Sequence, residues 1–290
     1  MKIKISATSE IGKVRQNNED AYIICPDLSK QEWEHEKTPS YIPLGNYGSL
    51  LVVADGMGGT NAGEVASTIA VNTVKEVFSH ADFSDYINKD SIPQLLQKCV
   101  KDADEAINRK AWEDPATIGM GTTIVICWIL GKTAHIAWCG DSRGYIFNPK
   151  TGLQALTKDH SYVQELVDKG EITEQEAFCH PDSNIITRGL GDIDSQSSPD
   201  IISHHLEADD MILLCSDGLS GYCSDNDIEQ VLRANYLDID TCKDQLFQLA
   251  MQAGGHDNIC LVLASLIGDE QDAPTNIKPS HSWLKRLLGL

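Results

Sequence analysis

The sequence predicts an α+β fold in which antiparallel sheets pack between layers of helix. Short runs rich in β-branched and aromatic residues follow one another without an intervening helix, which favours antiparallel pairing. Longer segments with apolar residues three and four positions apart come in separate blocks. Such blocks of strands and helices are typical of sheets covered by helices.

The predicted strands are apolar runs bounded by Gly, Asn or Asp. They cover residues 49–54, 122–130, 133–139, 144–147, 211–215 and 259–266. The second and third runs are separated only by Gly131 and Lys132, which predicts a β-hairpin.

The predicted helices show amphipathic spacing. They cover residues 62–78, a segment that follows Pro93, residues 228–236 after a capping-box pattern at Ser224, and residues 243–252. A short helix capped by Thr173 is predicted within a polar insertion, or flap, over residues 161–187. The polar stretch 29–46 is predicted to be a surface loop.

The length and net charge of the chain restrict its domain organisation and the ligands that it can bind. A chain of 290 residues with 41% hydrophobic residues can bury the core of one large domain. Asp and Glu number 43 against 23 Lys and Arg, and the resulting net charge of −20 is a poor match for nucleic acid or anionic lipid. The surplus acid either keeps the protein soluble or gathers around cations.

The cysteines and the hydropathy indicate a compartment. None of the nine cysteines are paired at C-x-x-C spacing, and most lie in apolar runs, so buried free thiols in a reducing cytosol are expected. No secretory signal opens the chain, and no apolar stretch approaches the roughly 20 residues that span a bilayer. The predicted location is cytoplasmic, without a transmembrane segment.

Aspartates recur at the ends of the predicted strands. Asp55, Asp141 and Asp217 each follow one, and Asp257 precedes another. An Asp-Gly pair alone is also a common turn, but four apolar strands with an aspartate at one end are harder to attribute to turns. Carboxylates that converge at one sheet edge repel each other, and hard divalent cations relieve that repulsion. Two such ions can share a water and clamp a phosphoryl group.

The N-terminal segment adds Arg15, Glu19 and Asp20. A guanidinium offers parallel donors that match phosphoryl oxygens, so Arg15 is a candidate phosphate ligand. Taken alone, it could equally be the partner in a surface salt bridge.

These residues fall within motifs that resemble the PPM, or type 2C, family of metal-dependent serine/threonine phosphatases, most closely its compact bacterial members. The resemblance spans roughly residues 6–265. Its motifs are Arg-Gln-Asn-Asn-Glu-Asp (15–20), Val-Ala-Asp-Gly-Met-Gly-Gly (53–59), Met-Gly-Thr-Thr (120–123), Gly-Asp-Ser-Arg (140–143), Leu-Thr-Lys-Asp-His (156–160), Ile-Thr-Arg-Gly-Leu-Gly (186–191), Ser-Asp-Gly-Leu (216–219) and Asp-Asn (257–258).

The resemblance implies a four-layer α-β-β-α sandwich of two antiparallel sheets flanked by helices. It places a catalytic domain over residues 1–267, followed by a polar linker and short amphipathic tail over 268–290. It also implies two Mn²⁺ or Mg²⁺ ions, with a possible third. The implied metal ligands are Asp55 bridging both ions, the Gly56 carbonyl, Asp217 and Asp257, with Glu19 direct or through water and Asp141 at the third site; Asp20 and Asn258 are implied supporting groups.

The implied reaction is hydrolysis of phosphoserine or phosphothreonine in proteins, with the phosphate on Arg15 and a metal-activated bridging water as nucleophile. Animal members often carry a histidine at the position of Met57, so a metal-bound water is the better donor of the leaving-group proton here. His160 is expected to be structural. The expected partners are phosphorylated proteins, with a bacterial serine/threonine kinase acting in opposition, and the expected state is a monomer.

Two other functions remain open at this point. A catalytically silent module could keep the fold and bind a phosphoprotein, although silent relatives usually lose a metal aspartate. A hydrolase of small phosphoesters or nucleotides is the other, although no nucleotide motif is present. The tail over 283–290 is either a frayed end or a segment that docks on a partner or grazes a membrane.

Overall fold

The computed structural model describes residues 1–33, 37–58, 62–86, 91–191 and 197–268. The strands are β1 (Lys2–Glu10), β2 (Asp20–Cys25), β3 (Ile42–Pro43), β4 (Ser49–Met57), β5 (Gly121–Thr122), β6 (Ile124–Leu130), β7 (Thr133–Cys139), β8 (Arg143–Asn148), β9 (Gly152–Ala155), β10 (Asp200–His205), β11 (Met211–Cys215) and β12 (Ile259–Ile267). The helices are α1 (Gly63–His80), α2 (Phe83–Tyr86), α3 (Ile92–Glu113), α4 (Tyr162–Asp168), α5 (Glu174–Phe178), α6 (Asp217–Ser220), α7 (Asp225–Asn235) and α8 (Ile239–Gln252), with a 3₁₀ turn at Pro115–Thr117.

The strands form two antiparallel sheets. The first has the order β3-β1-β12-β11-β8-β9, and the second has the order β10-β7-β6-β4-β2, with β5 paired to β4. The predicted hairpin is confirmed, because Leu130 of β6 pairs with Thr133 of β7. The sheets place the first and last strands of the chain side by side, with Lys2 opposite Ile267.

Three apolar clusters separate four layers, which confirms the predicted α-β-β-α sandwich. One cluster lies between the second sheet and helices α1 and α3, and another lies between the first sheet and helices α7 and α8. The third fills the space between the sheets. Along β4, Val52 faces the helices while Leu51 and Val53 face the other sheet. Both faces are covered, which explains why this strand reads as a continuous apolar run.

The predicted helices and strands are present with shifted bounds. The run predicted over 122–130 is divided at Thr123 into β5 and β6, because Thr122 turns to pair with Gly56 and with Leu190. The nine cysteines, all within the described residues, form no disulfide, and Cys179 is the one that is exposed.

The flap is closed at its base by backbone contacts. Ser161 bridges Ile186, and the Thr187 amide donates to the His160 carbonyl over 2.7 Å. The predicted capping box at Thr173 is confirmed at the start of α5.

Some predicted features lie outside the described residues. They include the tail over 269–290 and Gly59 of the glycine-rich motif. Within the described part of the chain, no helix is both long and apolar enough to cross a bilayer.

Truncation of the core residue Trp128 tests the packing of the second sheet. This side chain is fully buried, meets Phe78 edge-on at 5.4 Å, and donates from its indole nitrogen to the Tyr47 carbonyl over 2.8 Å. We expect Trp128→Ala to lower the free energy of unfolding by about 3–5 kcal/mol, measured by urea denaturation. The matched control is Trp112→Ala, because Trp112 is 87% exposed. Equal effects of the two substitutions would contradict the assigned core.

Candidate metal centre

A cavity of about 220 Å³ lies at one end of the sandwich. It opens where β4, β7 and β11 end and where β2 and β12 begin. Its lining comprises Arg15, Glu19, Asp55, Gly56, Met57, Gly58, Thr123, Asp141, Asn184, Ile186, Asp217 and Asp257. The fold therefore gathers around one space Arg15 and five of the six carboxylates that the sequence singled out, whereas Asp20 and the predicted supporting residue Asn258 do not line it.

The backbone around Asp55 is fixed by its neighbours. The Asp55 amide donates to the Thr123 hydroxyl over 3.1 Å, and the Thr123 amide donates to the Asp55 carbonyl over 2.8 Å. The next amide, of Gly56, donates to the Glu19 carbonyl over 3.1 Å. A Cβ at Gly56 would lie 2.2 Å from the Gly63 carbonyl oxygen. Only glycine fits here, which explains the Asp-Gly pair by close backbone packing.

Asn258 joins the N-terminal segment to the start of β12. Its side-chain oxygen accepts from the Glu19 amide over 2.8 Å, and its side-chain nitrogen donates to the carbonyls of Ile11 and Asn17. A Cβ at Gly218 would lie 1.8 Å from the Asn258 carbonyl oxygen, so the second Asp-Gly pair also reflects close packing. Asn258 thus sets the position of the segment that carries Arg15 and Glu19.

Arg15 lies at the mouth of the cavity. Its guanidinium donates to the Asp257 carboxylate over 2.6 Å, and its side chain is 51% exposed. The bond to Asp257 raises the pKa of Arg15 further, so the group is fully charged. About half of the side-chain surface remains accessible to a ligand from solvent.

Burial close to other carboxylates raises the pKa of four aspartates. Burial, followed by the charges of neighbouring aspartates, raises the pKa of Asp55 and Asp141 well above the ordinary value. Burial raises the pKa of Asp20 to about 8, although the Ser216 hydroxyl donates to it over 2.7 Å. Burial and then the charge of Asp257 raise the pKa of Asp217 to about 6. Without a counter-charge, several of these groups retain protons near neutral pH.

The loop that carries Asp141 is anchored by His160. The Gly140 amide donates to His160 Nδ1 over 3.2 Å, and His160 Nε2 lies 3.2 Å from Asp200. The imidazole stacks on Trp138, and burial lowers its pKa. Both ring nitrogens are engaged away from the cavity lining, which matches the structural role expected of His160.

The donor set fits divalent cations that prefer oxygen. The carboxylates and the Gly56 carbonyl are hard ligands of the kind that Mg²⁺ and Mn²⁺ take. Among the described residues, no group of three Asp, Glu, His or Cys side chains is arranged closely enough to hold a metal ion by itself. An open arrangement suits ions that keep several waters in their shell.

Three lining residues had no assigned role in the sequence. Asn184 and Ile186 reach the cavity from the flap, and Thr123 supports Asp55 through its hydroxyl. Ile186 stands in one of the motifs, but Asn184 carries no sequence signal. Met57 lines the cavity and offers no proton.

Comparison with known proteins identifies the family. The model of the family described as protein phosphatase 2C matches residues 6–259. The chain belongs to the protein phosphatase 2C family. The enzyme class predicted from the motifs, a metal-dependent phosphoprotein phosphatase, is the class of this family and is confirmed.

Protein phosphatase 2C relatives from bacteria align along most of the chain. The serine/threonine phosphatase stp of Listeria monocytogenes serotype 4b is 34% identical over 252 residues, which cover 87% of this chain and 91% of that protein. The crystal structure of Stp1 from Staphylococcus aureus has a TM-score of 0.77 at 35% identity and covers 91% of this chain and 95% of that one. The catalytic domain of PstP in complex with two manganese ions has a TM-score of 0.73 at 31% identity, covering 92% and 99%.

Stability without divalent cations should fall as the pH rises. The folded-state pKa values of Asp20 and Asp217, about 8 and about 6, exceed the unfolded value, which is about 3.9. The native state therefore binds more protons above about pH 4, and the loss of stability is complete once the pH passes the folded values. We expect a lower Tm of the chelator-treated protein at about pH 8.5 than at about pH 5.5, measured by scanning calorimetry.

Asp20→Asn is the control for this pH dependence, because it removes a buried carboxyl whose pKa is raised to about 8. We expect a shallower decline in that variant. A Tm of the chelated wild-type protein that rises over the same pH interval would contradict the assignment.

Proposed function

We propose that this chain removes phosphate from phosphoserine or phosphothreonine in proteins, at a two-metal centre in the cavity. The observation that carries the proposal is the lining itself, which combines one exposed guanidinium with five carboxylates in about 220 Å³. A positive donor fork beside a dense carboxylate cluster suits a phosphoryl group and cations together.

Asp55, the Gly56 carbonyl, Asp217 and Asp257 would hold the ions. Glu19 would bind directly or through water, and Asp141 would hold a third ion with Asp217. When bound, Mn²⁺ or Mg²⁺ supplies an activated water for attack on phosphorus and neutralises charge on the phosphoryl oxygens. Asp20 and Asn258 would support these ligands, Asp20 through Ser216 and Asn258 through Glu19.

Arg15 would orient the phosphoryl group. Its bond to Asp257 occupies one terminal nitrogen, and its side chain is 51% exposed, so the other donors of the guanidinium remain available to phosphate. The bidentate geometry of a guanidinium fixes the phosphoryl oxygens as well as neutralising them.

The leaving alkoxide needs a proton. No His, Cys, Lys or Tyr is found among the described residues that line the cavity, and the residue after Asp55 and Gly56 is Met57, which has no proton to donate. His160 is held by Gly140 and Asp200. We therefore propose that a water molecule in the cavity donates the proton to the leaving alkoxide.

The proposed substrates are phosphorylated proteins, including the targets of an opposing bacterial serine/threonine kinase. The relatives named as serine/threonine phosphatases support this substrate class. The monomeric state and the cytoplasmic location also remain proposals.

Asp217→Asn tests the metal centre. We expect manganese-dependent release of phosphate from a phosphothreonine peptide, loss of release with a chelator, and a fall in kcat/KM of roughly a hundredfold or more in the variant, because a ligand should matter at least as much as its supporting partners. Manganese affinity, measured by calorimetry, should fall in parallel. Asp244→Asn is the matched control, because its side chain is 68% exposed.

Phosphate release that resists the chelator would rule out the metal-dependent mechanism. Binding of the phosphopeptide without any release by the wild-type protein would instead favour a silent binding module. Release from nucleotides or sugar phosphates at a higher kcat/KM than from peptides would favour a small-molecule phosphatase.

Substitution of Arg15 tests the phosphate contact. Arg15→Ala should lower kcat/KM for the peptide about 10- to 100-fold, since one to two charge-assisted bonds are lost. Arg15→Lys should recover only part of the lost kcat/KM, because lysine lacks the parallel donors of the guanidinium. Arg233→Lys is the matched control, because Arg233 pairs with Glu229 on α7. Equal rates for Arg15→Ala and the wild type would remove Arg15 from the mechanism.

A further inference from the structure

Two exposed rings stand beside the metal centre, on loops that the mechanism does not use. The rings of Tyr222 and His256 lie 5.4 Å apart between centroids with an interplanar angle of 36°. Tyr222 remains 39% exposed, and His256 is also exposed. The pair therefore stabilises its own orientation while its outer surface stays accessible to a ligand.

Both residues are tied to groups of the centre. His256 directly precedes Asp257, which bonds to Arg15. Tyr222 follows α6, whose first residue is Asp217, and its amide donates to the Leu219 carbonyl over 3.2 Å. Partial burial and then the charges of Asp217 and Asp257 raise the pKa of Tyr222.

The His256 ring is held in place by the backbone of Gly254. A Cβ at Gly254 would lie 2.1 Å from His256 Nε2, so the imidazole packs directly on the backbone of Gly254. The Gly255 carbonyl accepts from the Lys13 amide over 2.7 Å, which joins this loop to the segment that carries Arg15. The ring pair and the proposed phosphate ligand thus belong to one connected surface.

A phosphorylated protein must cross the rim of the cavity. When its phosphoryl group is bound at Arg15, the adjoining residues continue outward at about 3.3 Å per residue in an extended chain. On one side the flap contributes Asn184 and Ile186 to the lining. His256 directly precedes the lining residue Asp257, and Tyr222 packs against His256, so the ring pair adjoins the cavity without lining it. Flat rings with few rotatable bonds lose little entropy when a peptide group or side chain packs on them.

We propose that Tyr222 and His256 form a contact platform for the residue adjacent to the phosphorylated one. This inference rests on the proposed phosphatase function and assigns its peptide preference to this pair. The platform makes no contact with an isolated phosphoamino acid, because such a ligand ends at the cavity.

The test compares a phosphothreonine peptide with free O-phosphothreonine, which has the same leaving group. Tyr222→Ala and His256→Ala should each lower the ratio of kcat/KM for the peptide to kcat/KM for the free amino acid, by about fivefold to tenfold for Tyr222→Ala. Tyr222→Phe should keep most of the ratio, because the ring is retained. Leu237→Ala is the control, because Leu237 is 82% exposed and does not line the cavity. It lies just before Asp238, which caps the start of α8.

A second measurement does not depend on turnover. Binding of a phosphonate peptide, whose P–C bond resists hydrolysis, is followed by fluorescence anisotropy with Mn²⁺ present. A weakening of about fivefold or more in Tyr222→Ala, with unchanged affinity for free inorganic phosphate, supports the platform. Unchanged peptide binding, or an equal loss for peptide and phosphate, overturns it.

These measurements separate the two proposals. A wild-type protein that binds the phosphonate peptide through the platform but hydrolyses nothing would refute the phosphatase function and retain the platform. A wild-type protein that hydrolyses both substrates, with the same ratio in Tyr222→Ala and His256→Ala, would refute the platform and retain the phosphatase.

Discussion

Repulsion between buried carboxyl groups is the constraint on which the functional end of this molecule depends. Asp20 is buried and Asp55, Asp141 and Asp217 are half-buried at the end of one sandwich, and burial raises the pKa of each. Such groups are tolerated if they keep protons or meet a counter-charge. The structure meets a part of this need with the Ser216 hydroxyl and the Arg15 guanidinium. The carboxylate charge that these two groups do not offset favours the binding of cations in the cavity.

The scaffold holds these groups through backbone contacts that leave no room for other residues. Thr123 and Glu19 bind the backbone on either side of the Asp55–Gly56 peptide, and Asn258 secures the segment before β2. The two Asp-Gly pairs owe their glycines to this packing, since any side chain at Gly56 or Gly218 would collide with a carbonyl. The centre is therefore rigid on the side of the sheets. Its outer rim is built from loops, where differences between substrates can be read.

Much of the fold was predictable because both faces of the central strands are covered. The continuous apolar runs of β4, β7 and β11 identify them as strands, and their order supports antiparallel pairing. The division at Thr123 was not predictable from the run over 122–130, because β-branched residues continue across it. The break depends on Leu190, which lies far along the chain and pairs with Thr122. Local propensity contains no information about that partner.

The sequence by itself determined the chemistry of this protein: its motifs, in their order, specify the protein phosphatase 2C family, the carboxylates and the arginine. Only the tertiary structure decided which of these groups share a cavity, and that Arg15 pairs with Asp257 across 242 positions. It also brought Asn184 to the lining and placed the rings of Tyr222 and His256 together at the rim. The reason is physical. Residue type sets what a group can do, whereas contacts between distant segments follow from strand register and loop packing, which exist only once the sheets have formed.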